Sequence, residues 1–391
     1  MKSSAVLVLG MHRCGTSALT RCLGLLGVEL GSEIIPPAGD NPTGFWEDGR
    51  FVALNQRLTQ LVGEEGDRWW EHLLPPEIPL SSPGVCSLMA EAVEEIEGRF
   101  ASSPWWAVKD PRTLRAFPFW EEVLRRAGVE REVVLAVRHP LACAQSLLQR
   151  NGIPEERSLL LWTSQYLAHW PRVGARPFLA VDYDRLLEEP ERELRRLCGR
   201  LGLPWSEAAS VEARKFLQPG LRHARFTLQD LRDRPGVPPL VVESFEALEE
   251  LCADREPKAA STRMAALHDE FRRTVPLLRA LEVEIAVARR SEREPLVLAM
   301  RRLVEAREAE LARLREERTR SERELLDLRR LAEANEAELA RLRVLLGERE
   351  RELAQWQEER ARSRTWRWVD RLRGWERSFR RWRKLRSGPE R

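Results

Sequence analysis

Two rhythms of apolar residues divide this chain. Up to about residue 255, short apolar runs alternate with stretches whose apolar residues recur three or four apart. The runs at 5–10, 106–109, 133–138 and 178–183 each give way to polar or charged residues and then to a helical pattern. That alternation predicts buried strands joined by helices, an α/β domain on a parallel sheet flanked by helices with ligands at the strand ends. Pro140 opens the helix after the third run, a favoured first-turn position. Segments 31–49 and 75–84 are rich in Pro and Gly and read as loops.

From about residue 296 the apolar positions settle into heptads. The a positions run from Val297 through Leu311, Leu325 and Leu339 to Leu353, and the d positions from Met300 through Leu314, Leu328 and Leu342 to Trp356. The octapeptide at 308–315 recurs at 336–343, an offset of four heptads that keeps the register. A coiled coil over 296–363 is expected, making the protein a homo-oligomer, with 256–295 as a helical linker. Arg318, Ser321, Asn335 and Arg349 interrupt the seam, and Asn335 can specify register. A single charged helix held by Glu–Arg pairs four apart is the competing expectation, and the number of strands stays open.

The last segment, 364–391, changes again, with eleven Arg or Lys against three Asp or Glu. Trp368, Trp375 and Trp382 fall seven apart, giving a basic amphipathic tail helix with an aromatic stripe. Such a helix suits an anionic membrane surface; the same features also suit nucleic acid, a partner helix or packing on the body. The net charge of the whole chain is only +3 over 391 residues, so no nucleic-acid partner is expected. Six scattered cysteines without a Cys-x-x-Cys pair argue against zinc and a disulfide framework, and fit a reducing compartment. The apolar run at the N-terminus is too short for a signal peptide or an anchor, so the protein is expected in the cytoplasm, peripheral on the inner face of the membrane if the tail binds there.

The chemistry begins at Gly10-Met-His-Arg-Cys-Gly-Thr-Ser17, which joins the first strand to a helix. Gly10 and Gly15 allow a tight turn, and the N–H groups of Cys14, Gly15, Thr16 and Ser17 at the helix start attract an anion. The spacing is that of a Walker-type loop, but Thr16 stands where an ATPase or GTPase carries lysine, and the positive charge comes earlier, at Arg13. A second anion signal is Arg138 at the end of the third strand with Ser146 eight residues on. A nucleotide hydrolase places an aspartate at such a strand end to hold magnesium. Arginine there means phosphate neutralised by protein cations, so no metal is expected.

These residues together resemble the sulfotransferase family that uses 3′-phosphoadenosine 5′-phosphosulfate, in particular bacterial members related to the Golgi and tyrosylprotein enzymes. The resemblance covers about residues 5–230. It implies that 10–17 is the 5′-phosphosulfate loop, with Arg13 as its basic residue and Thr16 and Ser17 as hydroxyl donors, and that Arg138 and Ser146 bind the 3′-phosphate. Val181-Asp-Tyr183-Asp-Arg-Leu-Leu is similar to the family's Tyr-Glu-Asp-Leu segment, which adds Tyr183. The family's Arg-Lys-Gly loop has no clear match; the stretch from Leu221 through Arg222 to Arg225 is the candidate substitute. Lys109-Asp-Pro-Arg112 resembles the family's Lys-Asp-Pro motif and makes Lys109 the group that stabilises the departing bridging oxygen, with Asp110 orienting Arg112 or Arg13. A glutamate soon after the first helix is the base in related enzymes, which points to Glu47 beside Phe45 and Trp46. His12 is the other candidate base, and His139 is less well placed. Against catalysis, Glu47 or Asp48 is equally suited to cap the next helix. The expected reaction is sulfuryl transfer to a hydroxyl or amine of a glycan, glycolipid or other small acceptor. A P-loop kinase or NTPase and a non-catalytic coiled-coil scaffold are the alternatives.

Overall fold

The structure is a computed structural model, and it describes residues 3–39, 41–63, 72–218, 225–362 and 364–386. The chain divides into two units, Met1–Arg289 and Arg290–Arg391. The first contains β1 (Ser4–Leu9), α1 (Thr16–Leu25), α2 (Gly49–Leu61), α3 (Pro83–Phe100), β2 (Trp105–Lys109), α4 (Phe117–Arg126), β3 (Glu130–Val137) and α5 (Pro140–Asn151). It continues through α6 (Glu155–Val173), β4 (Leu179–Asp182), α7 (Tyr183–Glu188), α8 (Pro190–Leu201), α9 (Glu207–Phe216), α10 (Leu228–Asp233) and α11 (Pro239–Cys252). The helix α12 (Pro257–Arg362) runs on into the second unit, which also holds α13 (Arg364–Arg386).

All four expected strands form, and they pair in parallel in the order β2-β1-β3-β4. Their period-two alternation decides which residues each face buries. Ala5, Leu7, Leu9, Trp106, Val108, Val133, Leu135 and Val137 enter the larger core. Val6, Val8, Ala107, Val134 and Ala136 enter the smaller one on the opposite face, under residues of α1, α8 and α9. Strands buried on both faces read as continuous apolar runs, which is why they were legible. The larger core is anchored by aromatic contacts: Phe51 stacks on Phe100 at 5.5 Å and meets Trp120 edge-on at 5.3 Å, while Phe100 stacks on Trp106 at 4.7 Å.

The strand order carries the functional geometry. From β1 the chain steps to one side to make β2, then crosses to the other side to make β3. The crevice between the carboxyl ends of β1 and β3 is therefore a topological switch point, where parallel sheets bind ligands.

The segment expected to be a linker is not one along its first turns. Ala260, Met264, Leu267, Phe271 and Leu278 of α12 are buried in the larger core. His268 bonds the Leu167 carbonyl at 2.7 Å, and Glu282 accepts from the Leu73 and Leu74 N–H groups. Spacings of three, four and seven residues put these side chains on one stripe of the helix, so that stripe belongs to the body. Farther along, from Val304, the heptad positions of the single chain stay exposed.

Three buried histidines make the body sensitive to acid. His169 on α6 is pushed down to about 3 by burial and by nearby Arg115 and Arg172, while burial takes His12 to about 3 and His139 to about 4. An unfolded histidine takes up its proton near pH 6.5, so stability is present above that pH and is lost as pH falls from about 6.5 toward 3. His169→Gln should reduce that loss by up to about 1.4 kcal/mol per pH unit. Urea titrations of both proteins at pH 6.5 and 5 check this; equal losses would remove His169 from the account.

Candidate active site

The loop after β1 is shaped by its glycines. Gly10 and Gly15 have φ of 148° and 85°, and Arg13 between them has φ of 71°. A Cβ on Gly15 would lie 2.1 Å from the Tyr183 ring, and one on Gly10 would lie 2.8 Å from the Ala136 carbonyl oxygen. Only glycine permits both the left-handed turn and this close packing. Gly15 ends the loop, and α1 starts at Thr16 with no side-chain cap and no acidic residue in its first turn. The first N–H groups of a helix have no intrahelical partner, so this end suits an anion.

The loop is tied to the strand across the switch point. Arg13 Nε donates to Ser146 Oγ on α5 at 2.8 Å, and Arg138 at the end of β3 donates to the Arg13 carbonyl at 3.0 Å. The Arg138 guanidinium lies 4.7 Å above the Tyr183 ring. Arg13, Arg138, Ser146 and Tyr183 are thus brought together from four segments of the sequence. Cys14 turns inward, its sulfur 3.2 Å from that of Cys143, both buried. Thr16 is also buried, whereas Thr16 and Ser17 both reach the cleft wall. Arg222 lies outside the described residues, and its neighbour Arg225 pairs with Glu188 at 3.0 Å.

A lysine does meet the loop, but it arrives from another strand. Lys109 ends β2, and its ammonium donates to Ser17 Oγ at 3.0 Å, to the Phe45 carbonyl at 2.8 Å and to Glu47 Oε1 at 2.5 Å. All three of its donors are engaged. Both Lys109 and Glu47 are buried, so the pair is a desolvated charge pair. Burial raises the Glu47 carboxyl above the ordinary glutamate range; Lys109 opposes the shift, and Asp110 adds to it. Asp110 itself accepts from the Arg112 backbone N–H at 2.6 Å and from its Nε at 2.9 Å, so it orients Arg112.

The capping question is settled by the neighbouring carboxylate. Asp48 is the N-cap of α2, accepting from the Arg50 N–H at 3.1 Å. Arg99 grips it from α3 through two bonds, of 3.0 and 2.5 Å. Burial alone would raise Asp48, but these bonds hold it below the usual range. Glu47 is left facing the cleft. Trp46, at φ 57°, turns its ring away toward Arg21, at 4.4 Å, and Phe216. Phe45 is the aromatic residue that lines the cleft.

His12 also lines the cleft, but burial and then Arg150, Arg13 and Arg115 push it down to about 3, so it is neutral near pH 7. His139 is structural: Nδ1 accepts the Leu141 N–H at 3.2 Å, capping α5, which leaves Nε2–H to donate to the Thr227 carbonyl at 3.0 Å. The cleft has a volume of about 220 Å³, and Asn41, Arg112, Arg150 and Asn151 complete its wall. Asn41 bonds its own turn through the Gly44 carbonyl at 2.8 Å. The signal for Arg150 lay in the sequence: it is one helical turn after Ser146, on the same face. Among the described residues, no group of His, Cys, Asp and Glu is arranged to hold a metal ion.

Residues 5–207 match the profile described as the sulfotransferase family. The chain belongs to that family. An uncharacterized protein of Aquifex aeolicus is 24% identical over 217 residues, which is 52% of this chain and 26% of that protein. The chain spans about a quarter of the length of this curated relative. Among solved structures, it is similar to the sulfotransferase domain of the Synechococcus PCC 7002 olefin synthase, with 16% identity, a TM-score of 0.34, and coverage of 69% of this chain and 96% of that one. A sulfotransferase from Mycobacterium tuberculosis H37Rv shares 15% identity with a TM-score of 0.33, covering 65% and 77% of the two chains.

The two adjacent carboxylates should separate in experiment. Asp48→Ala should cost at least the about 0.5–2 kcal/mol of a helix cap, because it also frees Arg99. Thermal unfolding reads this directly; an unchanged Tm would show that the Asp48 cap and Arg99 pair contribute nothing.

Proposed function

We propose that this sulfotransferase-family protein transfers a sulfuryl group from 3′-phosphoadenosine 5′-phosphosulfate to a hydroxyl or amine of a glycan, glycolipid or other small acceptor. The observation that carries the reading is the buried Glu47–Lys109 pair, touching Ser17 at the mouth of the phosphate loop. A transferred sulfuryl group needs cations on its oxygens and a base for the acceptor proton, and this contact holds both kinds of group in one wall.

In this reading the first turn of α1, with Arg13 and Ser17, holds the 5′-phosphosulfate. Arg138 and Ser146 hold the 3′-phosphate across the switch point. The residues fit that donor because they are cations and hydroxyls converging from β1, β3 and α5. Lys109 supplies positive charge next to Ser17, where negative charge develops on the leaving oxygen. Glu47 takes the acceptor proton. It is preferred to His12 because its raised proton affinity suits a base, whereas a histidine held at about 3 takes a proton poorly. A membrane surface or partner for α13 rests on its exposed Trp368, Leu372, Trp375 and Phe379. Among the described residues no helix is long and apolar enough to cross a membrane.

Donor binding is tested with 3′-phosphoadenosine 5′-phosphate in magnesium-free buffer. At about 100 times its Kd it should stabilise the protein by about 2.7 kcal/mol. Arg138→Ala should abolish the shift. Stabilisation only by ATP with magnesium would instead support the kinase reading.

The base is tested with labelled donor and an acceptor fraction from the source cell. Glu47→Gln should lower kcat by about 10²–10⁴-fold while leaving the donor-induced thermal shift in place. The wild-type rate should rise with pH through the carboxyl's raised pKa, so its acidic limb should lie above the ordinary glutamate range. Full activity in the Glu47→Gln protein would sink this assignment.

A further inference from the structure

The exposed face of α12 carries a repeat finer than the octapeptide. Glu310-Leu311-x-x-Leu314-Arg315 recurs as Glu324-Leu325-x-x-Leu328-Arg329 and Glu338-Leu339-x-x-Leu342-Arg343. A fourth copy, Glu352-Leu353-x-x-Trp356-Gln357, keeps the spacing without the arginine. The period is fourteen residues, two heptads, or roughly 21 Å of helix. The apolar residues in these motifs are between 51% and 63% exposed. Large apolar residues spaced this regularly along one face, and left in water by their own chain, require a covering surface.

We propose that residues 304–356 pair with a second copy of this chain as a parallel, in-register, two-stranded coiled coil. The charges beside the seam decide both partner and direction. In heptad terms each motif places Glu at g, leucine at a, leucine or tryptophan at d, and arginine (glutamine in the fourth) at e. In a parallel dimer, g of one helix faces e of the other helix in the next heptad. Glu310, Glu324 and Glu338 of one copy then meet Arg315, Arg329 and Arg343 of the other, and the same pairs form again by symmetry. Glu317 facing Glu322 is the one like-charge pair between positions 310 and 357. In an antiparallel dimer g faces g, and the g row holds Glu at 310, 317, 324, 338 and 352. That arrangement sets glutamates against one another.

The intrahelical ion pairs leave these arginines aside. Arg313, Arg318 and Arg320 reach the glutamates four residues on, and Arg307 reaches Glu310, so Glu310 and Glu324 exchange or share these exposed partners on pairing, whereas none of the helix's ion pairs among the described residues uses Arg315, Arg329 or Arg343. Between the apolar motifs lie polar layers with Arg318, Ser321, Asn335 and Arg349. A two-stranded seam lets such side chains reach water along its flanks, while a third strand would enclose more charge.

This inference stands on the C-terminal unit and does not depend on the sulfotransferase chemistry. Sedimentation equilibrium of the full chain should give twice the monomer mass. Reversing the g row with Glu310→Lys, Glu324→Lys and Glu338→Lys should weaken the dimer at least about tenfold. An unchanged Tm of the body shows that this variant still folds. Ser321→Cys should yield a covalent dimer on mild oxidation, above the wild-type background, because in register this d position faces its own copy. A monomer, a trimer, a dimer indifferent to the charge reversal, or no cross-link at 321 would each overturn the proposal.

Discussion

Lys109 is a full charge carried into the interior at the end of a strand, and an ion out of water has to be answered by the groups around it. Its three bonds reach three segments: Ser17 at the start of α1, the backbone at Phe45 and the carboxylate of Glu47. The ammonium therefore joins β2, the end of the glycine loop and the 41–48 segment at one point. Removing the Glu47 carboxylate would leave a buried charge uncompensated, and removing either neutral acceptor would leave an ammonium donor unpaired, so the geometry of this wall is set by a solvation requirement as much as by packing. The carboxylate in the pair is the same group whose proton affinity burial raises. Burial produces that rise, and the contact with Lys109 works against it.

A second constraint works across the sheet. Parallel strands deliver their carboxyl ends to one edge, and the order β2-β1-β3-β4 opens a crevice between β1 and β3 there. Arg13 and Arg138 stand on opposite banks, yet Arg138 bonds the Arg13 carbonyl and Arg13 bonds Ser146. Like charges are held close because each guanidinium finds acceptors of its own. The Tyr183 ring lies against Gly15 and beneath the Arg138 guanidinium.

Neighbours in sequence took unlike jobs. Glu47 faces the cleft and Asp48 caps α2, because the N-cap geometry places one carboxylate on the backbone of the first turn and Arg99 holds it there. Of the histidines near the site, His139 is consumed by the cap of α5 and by the Thr227 carbonyl. His12 remains in the cleft wall but is kept neutral by burial and the surrounding arginines. Which carboxylate caps is fixed by Arg99, and how far His12 is pushed down is set first by burial and then by Arg150, both residues remote in the chain.

The four strands and the glycine loop could be read directly, because a buried parallel strand is a continuous apolar run and a tight turn needs glycine at fixed offsets; that Ser146 accepts from Arg13, with Arg138 on the Arg13 carbonyl, was decided by the fold. The heptads were legible for the same kind of reason: a period is a local property. The Lys-Asp-Pro-Arg motif singles out Lys109, but its contact with Ser17 was not legible, since α1, α2 and α3 separate the two and they meet only when β2 pairs with β1. The docking of residues 257–278 escaped for a related reason, as an amphipathic stripe does not say which surface covers it. The sequence by itself determined the elements and the kinds of charge at their ends. Tertiary structure decided which charges meet, because burial and strand order, not spacing along the chain, set the distances over which charges act.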